Sequence, residues 1–170
     1  MPSMATTEPQ QEFVLFDAGI FIGALLQGDT RHAEARPLVE QARQGNLLAC
    51  TTTGILSEIY GALTWEQADP RHTPSEAAEA VRLLVEPPSA IAVLSDGLEM
   101  ALRTLELAAQ HQLTARRIHD ARHAATALAQ GIMSVYTYDV EDWQIFEADG
   151  LRITGPTTTM KRLAQKANES

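Results

Sequence analysis

Five short apolar runs punctuate the chain: "FVLF" from Phe13, "NLLAC" from Asn46, "AIAVL" from Ala90, "SVYTY" from Ser134 and "LRIT" from Leu151. Each has the length of a strand and falls short of a helix. Helical patterns separate them. The first is "AGIFIGALLQ", and a second runs from Asp29, read as its N-cap, to a stop at Gly45. "TTTGILSEIYGALTW" carries an apolar stripe of Ile55, Leu56, Ile59, Ala62 and Leu63, and "SEAAEAVRLLVE" is ended by Pro87 and Pro88. "GLEMALRTLELAAQHQ" follows, then "IHDARHAATALAQG" with Gly131 as its stop. Strands that alternate with helices pair in parallel, and the crossovers cover both faces of the sheet. The expected fold class is α/β. With 170 residues and no internal repeat, one domain is expected over residues 13–156, with a disordered tail at 1–12 and a tail or short helix at 157–170.

The lone Cys50 has no internal partner, and neither CxxC nor HExxH occurs, which points to a reducing cytoplasm. "MPSMATTEPQQE" lacks the basic and apolar regions of a signal peptide, and no apolar run approaches the roughly 20 residues that span a bilayer. A soluble, cytoplasmic protein without membrane contact is expected. A net charge of -9 excludes a broad basic coat for nucleic acid but leaves room for a local basic patch. Both lysines, Lys161 and Lys166, lie in the carboxy-terminal tail, so arginine is the permanent cation of the body.

The stretch "VYTYDVEDW" runs from a strand straight into Asp139, Glu141 and Asp142. Other acids are expected at the same rim: Asp17 ends the first strand, Glu58 lies one turn into the helix after the second, and Asp120 sits in the opening turn of the helix before the fourth. In open parallel sheets ligands collect at the carboxyl ends of strands, where strand order reverses. Taken singly, each acid has a plainer reading. Asp17 serves as an N-cap, Asp120 favours its helix dipole, Glu58 is solvated, and Asp139 and Asp142 cap "EDWQIF". Together they repel, by about 4 kcal/mol per pair at 4 Å and an effective dielectric near 20. No body lysine relieves that repulsion, and a hard divalent cation, Mg²⁺ or Mn²⁺, would. Such an ion suits hydrolysis of a phosphodiester.

"FVLFDAGIFIGALL", "TTTGILSEIYGAL", "IHDARHAATALA" and "VYTYDVEDWQIF", in this order and followed by "LRITGP", resemble the acidic motifs of the PIN-domain family, and among its members the VapC-like toxin ribonucleases. The resemblance runs from about Phe13 to Pro156. It implies a three-layer α/β/α sandwich around a short, mainly parallel sheet, and metal-dependent endonucleolytic cleavage of RNA. By the same resemblance Asp17, Glu58, Asp120 and Asp139 are the catalytic, metal-binding acids, Asp142 is a further acid near the metal, and Thr137 is the hydroxyl residue supporting the cluster. It also implies a homodimer and a cognate antitoxin. Gly19 stands where the family usually has Ser, Thr or Asn, and Trp143 replaces the usual Phe, an exchange of one apolar ring for another.

Around the third acid, "ARRIHDARHA" places Arg116, Arg117, His119, Arg122 and His123 close to Asp120. Arginine forks suit phosphate oxygens, so Arg116, Arg117 and Arg122 are candidates for substrate binding; the alternative is a helix surface balanced by nearby glutamates. Arg31, His32 and Arg36 form a weaker second group. His119 and His123, four apart, read better as packed or solvent-facing than as a zinc pair, since no Cys or third His accompanies them. Ile20, Phe21, Ala24 and Leu25 read as core, with part available to a dimer seam. The competing functional reading is a catalytically weakened module of the same fold that binds RNA or a protein without turnover. A receiver domain needs a body lysine, a haloacid-dehalogenase-type phosphatase needs Asp at position 19, and no GxxxxGK[ST] or GxSxG occurs.

Overall fold

The computed structural model describes residues 11–157 and, beyond them, Lys161, Gln165 and Asn168. The tails expected before Phe13 and after Pro156 lie largely outside the described residues. Five strands form one parallel sheet: β1 (Val14–Phe16), β2 (Ala49–Thr52), β3 (Ala92–Leu94), β4 (Ser134–Tyr136) and β5 (Arg152–Thr154), in the spatial order β3-β2-β1-β4-β5. Helices α1 (Ala18–Leu25) and α2 (His32–Arg43) join β1 to β2, and α3 (Thr53–Thr64) and α4 (Pro74–Val85) join β2 to β3. Helices α5 (Leu98–Gln110) and α6 (Ile118–Ala129) carry the chain back across the sheet to β4, and α7 (Val140–Trp143) precedes β5. The result is the expected three-layer α/β sandwich.

β1 is central, and all three of its residues are buried. Phe16 packs against Phe21 of α1 and Tyr136 of β4, with ring centroids 5.8 Å and 5.6 Å apart. The stripe read in the third helix does as its spacing predicts: Ile55, Ile59 and Leu63 are fully buried. Gly45 and Gly131 close α2 and α6 with φ of 78° and 71°, a backbone region that glycine enters without steric cost. Thr73 and Glu76 form a capping box at the start of α4, which fixes its entry after the proline-rich loop.

Several boundaries differ from expectation, among them the end of the fourth strand, read through Tyr138 and observed at Tyr136. Strand β2 begins at Ala49 and ends in Thr51 and Thr52, because its last two residues pair with Val93 and Leu94 of β3. Asp29 does not cap α2, which starts at His32. Its carboxylate instead accepts from the Arg31 backbone and grips the Arg31 guanidinium at 2.9 Å and 2.7 Å. Among the described residues no helix is long and apolar enough to cross a membrane.

Candidate active site

Strand order reverses between β1 and β4, so the crevice of this sheet opens beyond Phe16 and Tyr136. These two residues are in register. The next residues on each strand, Asp17 and Thr137, are therefore neighbours, and the Thr137 hydroxyl donates to Asp17 Oδ2 at 2.8 Å. Asp17 is also the N-cap of α1, accepting from the Ala18 N–H through Oδ1 at 2.9 Å. A third donor is the Trp143 indole N–H, 3.2 Å from Oδ2. Thus Trp143 is more than an apolar filler. Asp17 is buried, and burial raises its pKa against the opposing effects of the Thr137 bond and His123.

Glu58 reaches the same region from α3. Its carboxylate accepts from His123 Nε2 at 2.8 Å, while His123 Nδ1 lies 2.9 Å from the Thr52 hydroxyl. Thr52 Oγ1 also accepts from the Ile55 N–H as the cap of α3. A carboxylate only accepts, so Nε2 carries a hydrogen. His123 is packed, one of the two placements expected for it, and it also holds an acid that sequence spacing had not linked to it.

Asp120 sits in the first turn of α6. Burial, followed by the charge of Asp17, pushes its pKa up to about 7 despite the pull of His123 and Arg117. Asp139 heads α7 without using its side chain as a cap, which removes the plain capping reading for this acid.

Glu58, Asp120, Asp139 and Asp142 line one cleft of about 360 Å³, together with Arg116, Arg117 and His119. Asp17 is buried and does not line the cleft, but lies near enough for its charge to raise the pKa of Asp120. The five expected acids therefore converge, though more loosely than a preformed cage: among the described residues no three His, Cys, Asp or Glu side chains are arranged to hold an ion as they stand. The donor set still fits a hard divalent cation. It is all carboxylate on the acidic side, and its two most buried members have raised pKa values that an added positive charge would lower.

The basic candidates separate. Arg116 and Arg117 line the cleft. Arg117 donates to the backbone carbonyl of Asp142, and its buried Nε has no hydrogen-bond partner, lying 4.0 Å from Asp120 Oδ2. Arg122 points elsewhere and is held by Asp96, which also accepts from Thr53. From the second group, Arg31 stacks over Tyr138 at 5.0 Å, and His32 bonds the Gly23 carbonyl at 2.9 Å. Arg31 also explains Gly19: a Cβ there would sit 3.0 Å from Arg31 Nη1, so the guanidinium occupies the space a side chain would take.

No curated protein matches the sequence significantly. Among solved structures the chain is similar to VapC20 of Mycobacterium tuberculosis, a sarcin-ricin loop cleaving toxin, with a TM-score of 0.63 and 19% identity over 82% of this chain and 96% of that one. It is also similar to VapBC-1 from nontypeable Haemophilus influenzae (TM-score 0.58, 17% identity, 85% and 98% of the two chains) and to FitAcB from Neisseria gonorrhoeae (0.55, 14%, 84% and 97%). At these identities the likeness is one of fold. The sequence itself matches the PIN domain family model over residues 14–145. A match of that extent, on a fold shared with the VapC structures, means that the chain belongs to the PIN-domain family.

Proposed function

We propose that the protein is a Mg²⁺- or Mn²⁺-dependent endoribonuclease of the cytoplasm, the toxin of a toxin-antitoxin pair. One observation carries this reading: acids from separate segments of the chain line a single cleft at the reversal point of the sheet, beside Arg116 and Arg117. The likeness to a toxin that cleaves the sarcin-ricin loop supports RNA as substrate, and the likeness to VapBC assemblies supports an antitoxin partner. A homodimer is the expected assembly.

Asp17, Glu58, Asp120, Asp139 and Asp142 would hold the cation. When bound, it polarises a phosphoryl oxygen and makes water a better nucleophile. Arg116 and Arg117, which line the cleft, bind the phosphate oxygens. Thr137 orients Asp17, and His123 orients Glu58. Water adds at phosphorus as the P–O bond to the leaving ribose oxygen breaks; the acids are ligands and form no covalent intermediate.

The test is incubation of purified protein with RNA and Mn²⁺ beside Asp17→Asn and Asp120→Asn proteins. Cleavage by the parent and loss in both variants is the expected result. Equal cleavage by all three points to a contaminant and refutes the reading. The loose spacing of the acids favours one alternative, a module of this fold that binds RNA or a protein without turnover. Calorimetry with Mn²⁺ separates the two, because the alternative predicts little or no metal uptake.

A further inference from the structure

We propose that Trp143 is a positioning residue for the cation site, leaving Oδ1 as the one oxygen of Asp17 open to metal; the inference rests on the metal-dependent reading above. An ionised carboxylate offers about four acceptor sites, two on each oxygen. Oδ2 receives both the Thr137 hydroxyl and the Trp143 indole N–H, and Oδ1 receives the Ala18 N–H alone. One acceptor site remains, on Oδ1.

The indole is firmly placed. Trp143 is fully buried, and its ring meets Phe146 edge-on at 5.6 Å. Phe146 is backed in the same way by His111, which is tied to Asp149 at 2.6 Å. The Trp143 backbone N–H donates to the Asp139 carbonyl at 3.1 Å. One residue therefore links two acids of the cleft, through its side chain to Asp17 and through its backbone to Asp139. A neutral donor on Oδ2 keeps that oxygen from turning toward the cleft and adds no charge to compete with a cation.

The test removes the N–H and keeps the shape. Trp143→3-benzothienylalanine, with sulfur in place of the ring N–H, and Trp143→Phe are prepared in the full chain. Mn²⁺ binding is followed by calorimetry beside the parent and Asp17→Asn. Both Trp143 variants are expected to bind Mn²⁺ about tenfold more weakly, the usual size for an outer hydrogen bond to a metal ligand. KM for RNA at saturating Mn²⁺ stays unchanged. An isostere that binds Mn²⁺ as tightly as the parent overturns the proposal, even where Trp143→Phe fails to fold through lost packing. A parent that takes up no Mn²⁺, or an Asp17→Asn protein that takes it up undiminished, overturns both this inference and the metal-dependent reading.

Discussion

A carboxyl group pressed against another in a buried pocket holds its proton longer than it would in water, and Asp120 does so up to about pH 7. Its ordinary value is 3.8, so the folded chain binds this proton more tightly than the unfolded one. The stability it contributes is full below the ordinary value and lost as pH rises through about 7. Without metal, the parent should therefore lose stability relative to Asp120→Asn as pH climbs across that window, as followed by urea unfolding. Mn²⁺ competes with the same proton, so its affinity should rise between about pH 6 and about pH 8. Two glycines give contrasting tests. A Cβ at Gly54 would lie 2.9 Å from Nη1 of Arg122, which Asp96 holds, and 3.0 Å from Cε1 of the buried His123, and Gly54→Ala should cost about 1–3 kcal/mol in urea unfolding. At Gly19 the obstacle is the Arg31 guanidinium, which is held by Asp29 but ends a long side chain and need shift only a few tenths of an ångström, so Gly19→Ala should cost less than about 1 kcal/mol.

At the scale of elements, α3 and α6 are joined behind the cleft by the chain from Thr52 through His123 to Glu58. His123→Leu keeps the bulk and removes both bonds. It should destabilise the protein by about 1–3 kcal/mol and lower RNA cleavage by freeing Glu58; unchanged cleavage with a fully folded variant would contradict the positioning role. This link was not legible in the sequence, and the reason is general. Periodicity and turn chemistry are local, so they locate strands and helices, and with them the acids that stand at a strand end or in a first turn, such as Asp17 and Asp120. The order β3-β2-β1-β4-β5, with its reversal at β1 and β4, then brings those acids together. His123 and Glu58 are 65 positions apart, and Trp143 and Asp17 are 126 apart. Nothing in the local pattern announces such partners. Asp29 shows the reverse failure: a good capping residue was claimed by a neighbouring arginine with a bidentate geometry the helix start could not match.

For the whole molecule, a net charge of -9 means that RNA is not drawn in by a general field. Binding rests on the small basic bank of Arg116 and Arg117 and on the cation. RNA affinity of the Asp120→Asn protein should therefore depend only weakly on salt, with a log–log slope of about -1 to -2, and Arg117→Ala should flatten it by about 0.7. A steep slope would require a broad basic surface that the composition does not provide. The account as a whole depends on one cation drawing the acids of separate segments together at the reversal of the sheet. The direct measurement is anomalous diffraction from crystals of the full chain soaked in Mn²⁺. A peak within bonding distance of Asp17 Oδ1 and of at least one carboxylate from Glu58, Asp120 or Asp139 is the result predicted. A cleft left without a peak under saturating Mn²⁺, or an ion bound only at acids outside it, would contradict the account.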